Sequence, residues 1–250
     1  MAALSPANKA RLLASGQAEA GAWLQALPSP QLGTLMSGES FRVSCALRMG
    51  CTVCEPHKCG PCGAEADSLG HHGLSCKRSA GRHSRHSAAN DLIARALGTV
   101  DVATLLEPAG CARDNGKRPD GMTLIPWKRG KPLIWDFTCR DTFAPTYLPK
   151  TSRAAGAAAV VGEGNKRRDY AFLEARSIFV PVAIETSGYW GKEGLHLIRE
   201  FGTRIMAKTG EKRATSFLIQ RISLAVQRGN VASILGTLPP GREIEEIFLM

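Results

Sequence analysis

The chain has 250 residues, 44% of them hydrophobic and 22% charged, with a formal net charge of +10. That composition excludes a disordered chain, no apolar run is long enough for a membrane span, and the positive balance favours a polyanionic partner, above all nucleic acid. The first residues, "MAALSPANKARLLASG", lack the apolar stretch of a signal peptide, so the expectation is an intracellular protein, nuclear or cytoplasmic and not secreted.

Residues 7–26, "ANKARLLASGQAEAGAWLQA", place apolar side chains at helical spacing and predict a first helix that ends before "LPSP". A second helix is predicted over "ESFRVSCALRMG", with Gly50 as its stop. Residues 51–86 are polar and poor in aliphatics, yet hold Cys51, Cys54, Cys59, Cys62 and Cys76, together with His57, His71 and His72. Cys59 and Cys62 stand in C-x2-C spacing, which aims two thiolates at one tetrahedral ion; His71 or His72, with Cys76, closes the site. Cys51 and Cys54 form a second C-x2-C, so Cys51/Cys54/Cys59/Cys62 is the alternative set. A segment that cannot build an apolar core needs a staple, and structural zinc is the expected one. The run "KRSAGRHSRH" follows at once, and its Lys77, Arg78, Arg82, His83, Arg85 and His86 are expected to grip phosphates.

"AANDLIARALGTV", residues 88–100, predicts an amphipathic helix that Asp91 opens, and "ATLLEP" predicts a strand. The stretch "PDGMTLIPWKRGKPLIWDFTC" reads as a hairpin with "KRGK" at its turn. A helix weakened by Gly162 and Gly164 is predicted over "TSRAAGAAAVVGEGNKRRDYAFLEARS", then a strand over "IFVPVAIETSG". Two last helices are expected, "GKEGLHLIREFGTRIMAKTG" and "EKRATSFLIQRISLAVQRGN", each ending near a Gly or Asn cap. The order predicts a mixed α/β fold, a small central sheet flanked by helices, with a metal knuckle on its N-terminal side.

Asp120 and Asp136 are the only acids between Gly116 and Arg140, and each sits among hydrophobic residues. An ionised carboxylate in an apolar strand costs several kcal/mol unless something pairs with it, and a divalent cation between two of them would resolve both costs. Side chains alternate along a strand, so a two-residue loop at Arg129 and Gly130 would put the two acids on opposite faces. A three-residue loop or a bulge would return them to the same face. Pairing of Asp136 with a lysine is the competing reading, as is a turn role for Asp120.

Pro119-Asp120, a hairpin, and then Asp136 at the end of an apolar strand resemble the PD-(D/E)xK nucleases. There the two acids hold Mg²⁺ or Mn²⁺ and a lysine assists the attacking water. Thr138 stands where that lysine is usual. The same departure marks the restriction-like endonuclease tails of non-long-terminal-repeat retrotransposon polyproteins, which this chain resembles over nearly its whole length through "HGLSC", "GRHSRH", "GKRPDG", "WDFTC" and "FVPVAIET".

The resemblance implies a restriction-endonuclease-like fold and a Cys59, Cys62, His72, Cys76 knuckle. It implies DNA and possibly RNA as partners, and an upstream reverse transcriptase whose motif does not occur here. It also moves the lysine to Lys166 on a helix, with Tyr170 beside it. Arg118 joins the expected phosphate contacts, Glu107 is a candidate third acid with Glu185 and Asp91 weaker ones, and Gln220 and Arg221 on the last helix are weaker candidates for contact with DNA. The expected divisions are a helical segment over 1–50, knuckle and basic linker over 51–86, a nuclease-like unit over 87–238 and a tail over 239–250. A binding module that grips nucleic acid without cutting is the competing function.

Overall fold

The computed structural model describes residues 4–79 and 81–239. The expected tail therefore lies, apart from Pro239, outside the described residues. The first predicted helix is two pieces. Helix α1 (Pro6–Ser15) is capped at one end by the Ser5 hydroxyl and stopped by Gly16, and a 3₁₀ turn over Ala18–Gln25 follows. Helix α2 (Gly38–Met49) starts on a Ser37 cap and ends at Gly50, whose φ of 73° is the left-handed conformation that a glycine supplies without strain.

The knuckle contains a two-residue hairpin, β1 (His57–Lys58) with β2 (Glu65–Ala66), and a short helix α3 (His71–Ser75). Helix α4 spans Gly81–Thr99, so it starts well before the sequence predicted. Arg82, His83, Arg85 and His86 of the basic run form its first turns, Lys77 and Arg78 precede it, and Asp91 sits exposed in mid-helix rather than opening it.

A four-stranded sheet carries the centre in the order β3-β4-β5-β6. Strands β3 (Thr104–Leu106), β4 (Gly121–Thr123) and β5 (Leu133–Arg140) run antiparallel, and β6 (Ile178–Glu185) pairs parallel with β5. Pro181 lacks an N–H, which an edge strand such as β6 tolerates. Leu133, Trp135 and Phe137 pack into one cluster with α4, helix α7 (Lys192–Thr209) and helix α8 (Ala214–Leu235). Ile134 belongs to a second cluster with Tyr170, Leu173 and Phe179. The side chains alternate between two buried layers, as the pleat requires.

The predicted helix over 151–177 resolves into α5 (Leu148–Thr151), a break at Gly156, α6 (Ala157–Asp169) and a 3₁₀ turn. Gly162 lies in α6 against Thr138 and Arg140 of β5, where an added Cβ would stand 3.2 Å from both side chains. The last helix also differs from expectation. Asn230 does not cap α8; it is fully buried five residues before the end, linking the Arg85 guanidinium to the Thr186 carbonyl. No described helix is long and apolar enough to cross a membrane.

Candidate functional site

Cys59, Cys62, His72 and Cys76 form a cluster that could bind a metal such as zinc. Among the described residues it is the one set of three or more His, Cys or acidic side chains whose ligand atoms all lie within 4.8 Å of one another. Cys59 and Cys76 place their sulfurs 3.9 Å apart, and Cys62 Sγ is 3.3 Å from His72 Nε2. A tetrahedron with ~2.3 Å Zn–S bonds has an S···S edge of about 3.8 Å, so the donor set fits that ion in kind and in size.

His71 is excluded by position: its ring stacks on Phe143, with centroids 4.0 Å apart, and its Nδ1 faces Asp67. The alternative cysteine set does not form. Cys51 is exposed, and the buried Cys54 thiol points to the Asp67 carbonyl. Asp67 positions the histidine ligand, its carboxylate accepting from the backbone N–H groups of Leu69, His71 and His72.

The hairpin answers the register question with the two-residue turn and an insertion in its first arm. Lys128 pairs with Lys131 across a two-residue turn, with Arg129 at φ 51° and Gly130 at φ 72°, a double left-handed turn. Further out, Gly121 pairs with Trp135. The first arm thus takes seven steps from 121 to 128 where the second takes four from 131 to 135, an excess of three. An odd excess restores the parity that the short turn would break, so Asp120, one step beyond Gly121, meets the position of Asp136. Gly121 itself is dictated by its partner: a Cβ there would stand 2.1 Å from the Trp135 indole.

Asp136 is 1% exposed and forms an ion pair with Lys166 of α6, Oδ1 to Nζ at 2.6 Å. Tyr170 closes α6, is itself buried, and presents its hydroxyl to Asp136 as a hydrogen-bond donor. Asp120 accepts from the Phe137 backbone N–H at 2.6 Å, and its other oxygen lies 3.0 Å from His86 Nε2.

Burial raises both acids. Asp120 is pushed up to about 7 by burial and then by the charge of Asp136. Asp136 is also raised by burial, against the opposing pull of Lys166. The neighbours respond in kind: burial and then the Asp136 charge raise Tyr170, and burial and then the Lys166 charge lower His86.

A groove of about 590 Å³ opens beside the pair, lined by Lys77, Arg82, His83, Arg85, His86, Lys117 and Lys166. The expected phosphate contacts divide there. Lys77, Arg82 and His83 are exposed on its wall. Arg85 is buried and donates to Asn230, so it forms floor rather than surface. Arg78 lies outside the lining and ties the knuckle by donating to the Pro61 carbonyl, while Arg118 is exposed beside the hairpin. Arg167 is committed to Glu174 and Glu193, and Arg168 to Asn165.

The candidate third acids fall elsewhere. Glu107 is exposed just past β3, outside any such three-ligand set with the aspartates, and its charge acts on His86. Glu185 is fully buried, but its Oε1 accepts from the Ala158 and Ala159 N–H groups at the start of α6 and its Oε2 from the Thr142 hydroxyl. It is a helix cap, which explains its burial without a metal.

Sequence reasoning missed His86 and Asn90 as partners of Asp120. Asn90 bridges the His86 ring, the Trp135 indole N–H and the Asp120 carboxylate. Their i, i+4 spacing was visible, but only a helix starting before residue 88 puts both on one face. Neither a scan against protein-family models nor a search of curated proteins returns a match to this chain.

Proposed function

We propose that the chain is a metal-dependent DNA endonuclease of the restriction-like, PD-(D/E)xK type, akin to the nicking tails of non-long-terminal-repeat retrotransposons. The observation that carries this reading is the meeting of Asp120 and Asp136 beside Lys166 at the wall of a basic groove.

Two buried carboxylates held at raised pKa are strained toward a cation, and hard oxygen donors suit Mg²⁺ or Mn²⁺. Asp120 and Asp136 would hold that ion, which supplies Lewis-acid polarisation and a more acidic bound water. Lys166, 2.6 Å from Asp136, would neutralise the charge that develops on the phosphoryl group or orient the attacking water. Tyr170 fixes the Asp136 carboxylate, and His86 with Asn90 fixes that of Asp120. The groove's Lys77, Arg82, His83 and Lys117 would seat the phosphate backbone, and zinc in the knuckle would anchor the start of that wall. DNA is the proposed partner, RNA a further one, and a reverse transcriptase domain the proposed upstream neighbour in a polyprotein.

One observation favours a second reading, a module that binds nucleic acid without cutting. Each acid already has a cationic or basic side chain of its own, Lys166 for Asp136 and His86 for Asp120. Nicking of supercoiled plasmid with Mg²⁺ separates the two. Asp120→Asn and Asp136→Asn should each reduce nicking about 10²-fold or more, with circular dichroism unchanged. Parent-like nicking by the double variant would end the nuclease reading.

A further inference from the structure

A second basic groove, of about 460 Å³, lies on the other side of α4. At 3.6 residues per turn, Ala88, Asp91, Leu92 and Arg95 occupy the half of α4 opposite His86. Helix α8 supplies the facing wall through Arg221, Leu224, Ala225 and Arg228, which fall at i, i+3, i+4 and i+7 and so make one stripe. The turn Pro30–Gly33 closes the end. It is held in shape by Thr34, whose hydroxyl donates to the Leu27 carbonyl, and by Arg228, which donates to the Leu35 carbonyl.

Three guanidiniums and one carboxylate leave this groove net positive. Arg95 and Arg221 are exposed, and neither they nor Asp91 form an ion pair among the described residues. Arg167, Arg199 and Arg204, by contrast, are each tied to an acid. Guanidiniums on two facing walls, with Leu92 and Leu224 as apolar lining between them, suit phosphates, which they can take bidentately. No aromatic side chain lines the groove, so it offers unstacked bases no platform; the chemistry fits a duplex backbone rather than a single strand.

We propose that this second groove seats the phosphate backbone of duplex DNA, so that one molecule grips DNA on both sides of α4. The proposal rests on DNA being the partner but not on cleavage, so it is tested by binding alone.

The test uses the full zinc-loaded chain carrying Asp120→Asn and Asp136→Asn, so that nothing is cut. Fluorescence anisotropy against a long duplex is read over a range of salt. Adding Arg95→Gln and Arg221→Gln, both exposed and without ion pairs, should reduce the slope of log affinity against log salt by about 2, one phosphate contact each. Affinity should fall about tenfold at low salt, and single-stranded DNA should compete poorly. Removing the same charge far from the groove, by Arg129→Gln and Lys212→Gln, should change the slope by clearly less.

An unchanged slope with Arg95 and Arg221 replaced would overturn the proposal, as would an equal loss from the distant pair. So would a parent that binds duplex DNA no better than single strands, or not at all. Whether Asp120 or Asp136 replacement reduces nicking bears only on the nuclease reading and leaves these outcomes intact.

Discussion

Asp120 and Asp136 each hold a side-chain partner of their own, His86 at 3.0 Å and Lys166 at 2.6 Å, before any metal is considered. The lysine pairing that the sequence offered for Asp136 is present, whereas a histidine partner for Asp120 was not foreseen. Lys166 reaches Asp136 from a helix thirty residues on, and His86 reaches Asp120 from a helix whose start was placed too late. Contacts of that separation are set by tertiary packing, not by local pattern.

The titration of Asp120 makes the cost of its burial measurable. An unfolded aspartate titrates near 4, whereas the folded one is held at about 7 by burial and the Asp136 charge. The folded state therefore binds this proton more tightly. Its stabilising contribution is complete below pH ~4 and is lost as pH rises toward 7. Without divalent cations, the parent should lose on the order of 1–3 kcal/mol more than Asp120→Asn between about pH 5 and about pH 8. Urea unfolding at the two pH values checks this, and equal losses in both proteins would contradict it.

At the scale of elements, the hairpin and α6 together make the site. The turn at Arg129 and Gly130 was legible from "KRGK", and the need for an odd insertion followed from parity alone. The location of the insertion, at Leu124–Pro126, did not, because an apolar "LIP" looks like continuing strand. Those leucine and isoleucine side chains are in fact exposed.

Helix α6 is positioned by one carboxylate at its N-terminus and another at its middle. Glu185 caps its N-terminus, and Glu163 on α6 accepts from the Glu193 and Gly194 N–H groups at the start of α7. Sequence alone cannot tell a cation from a helix end as the reason for the acid Glu185 in "FVPVAIET". Glu185→Ala leaves two backbone donors and the Thr142 hydroxyl without their acceptor inside the core. It should destabilise the protein by about 2–4 kcal/mol, and Glu185→Gln, which keeps an acceptor oxygen, by about 1 kcal/mol. Denaturant titration decides it: equal losses from the two substitutions would refute the capping role.

At the scale of the whole molecule, α8 is the common surface. It packs with α4 and α7 in the central core, and its C-terminal end receives the knuckle. Gly60 donates to the Thr237 carbonyl, His57 bonds the Thr237 hydroxyl, and Ser79 donates to the Ser233 carbonyl. Gly81 approaches α8 so closely that a Cβ would lie 2.3 Å from the Ser233 nitrogen.

The knuckle was the most legible part of the chain, since ligand spacing is local. Its docking was not, since it depends on glycines at long range. Stripping zinc should expose 51–79 to protease and lower the melting temperature, while the sheet and α4, α7 and α8 retain their helical and strand signals. A protein without bound zinc, or one whose protease map is unchanged on chelation, would contradict the assignment.

Every catalytic role proposed above follows from the two hairpin acids sharing one divalent cation. Mn²⁺ titrated into the zinc-loaded protein and followed by electron paramagnetic resonance tests this most directly. The expected result is one tightly held Mn²⁺ per chain in the parent, lost in both Asp120→Asn and Asp136→Asn. Identical Mn²⁺ binding in parent and variants, or none in the parent, would contradict it.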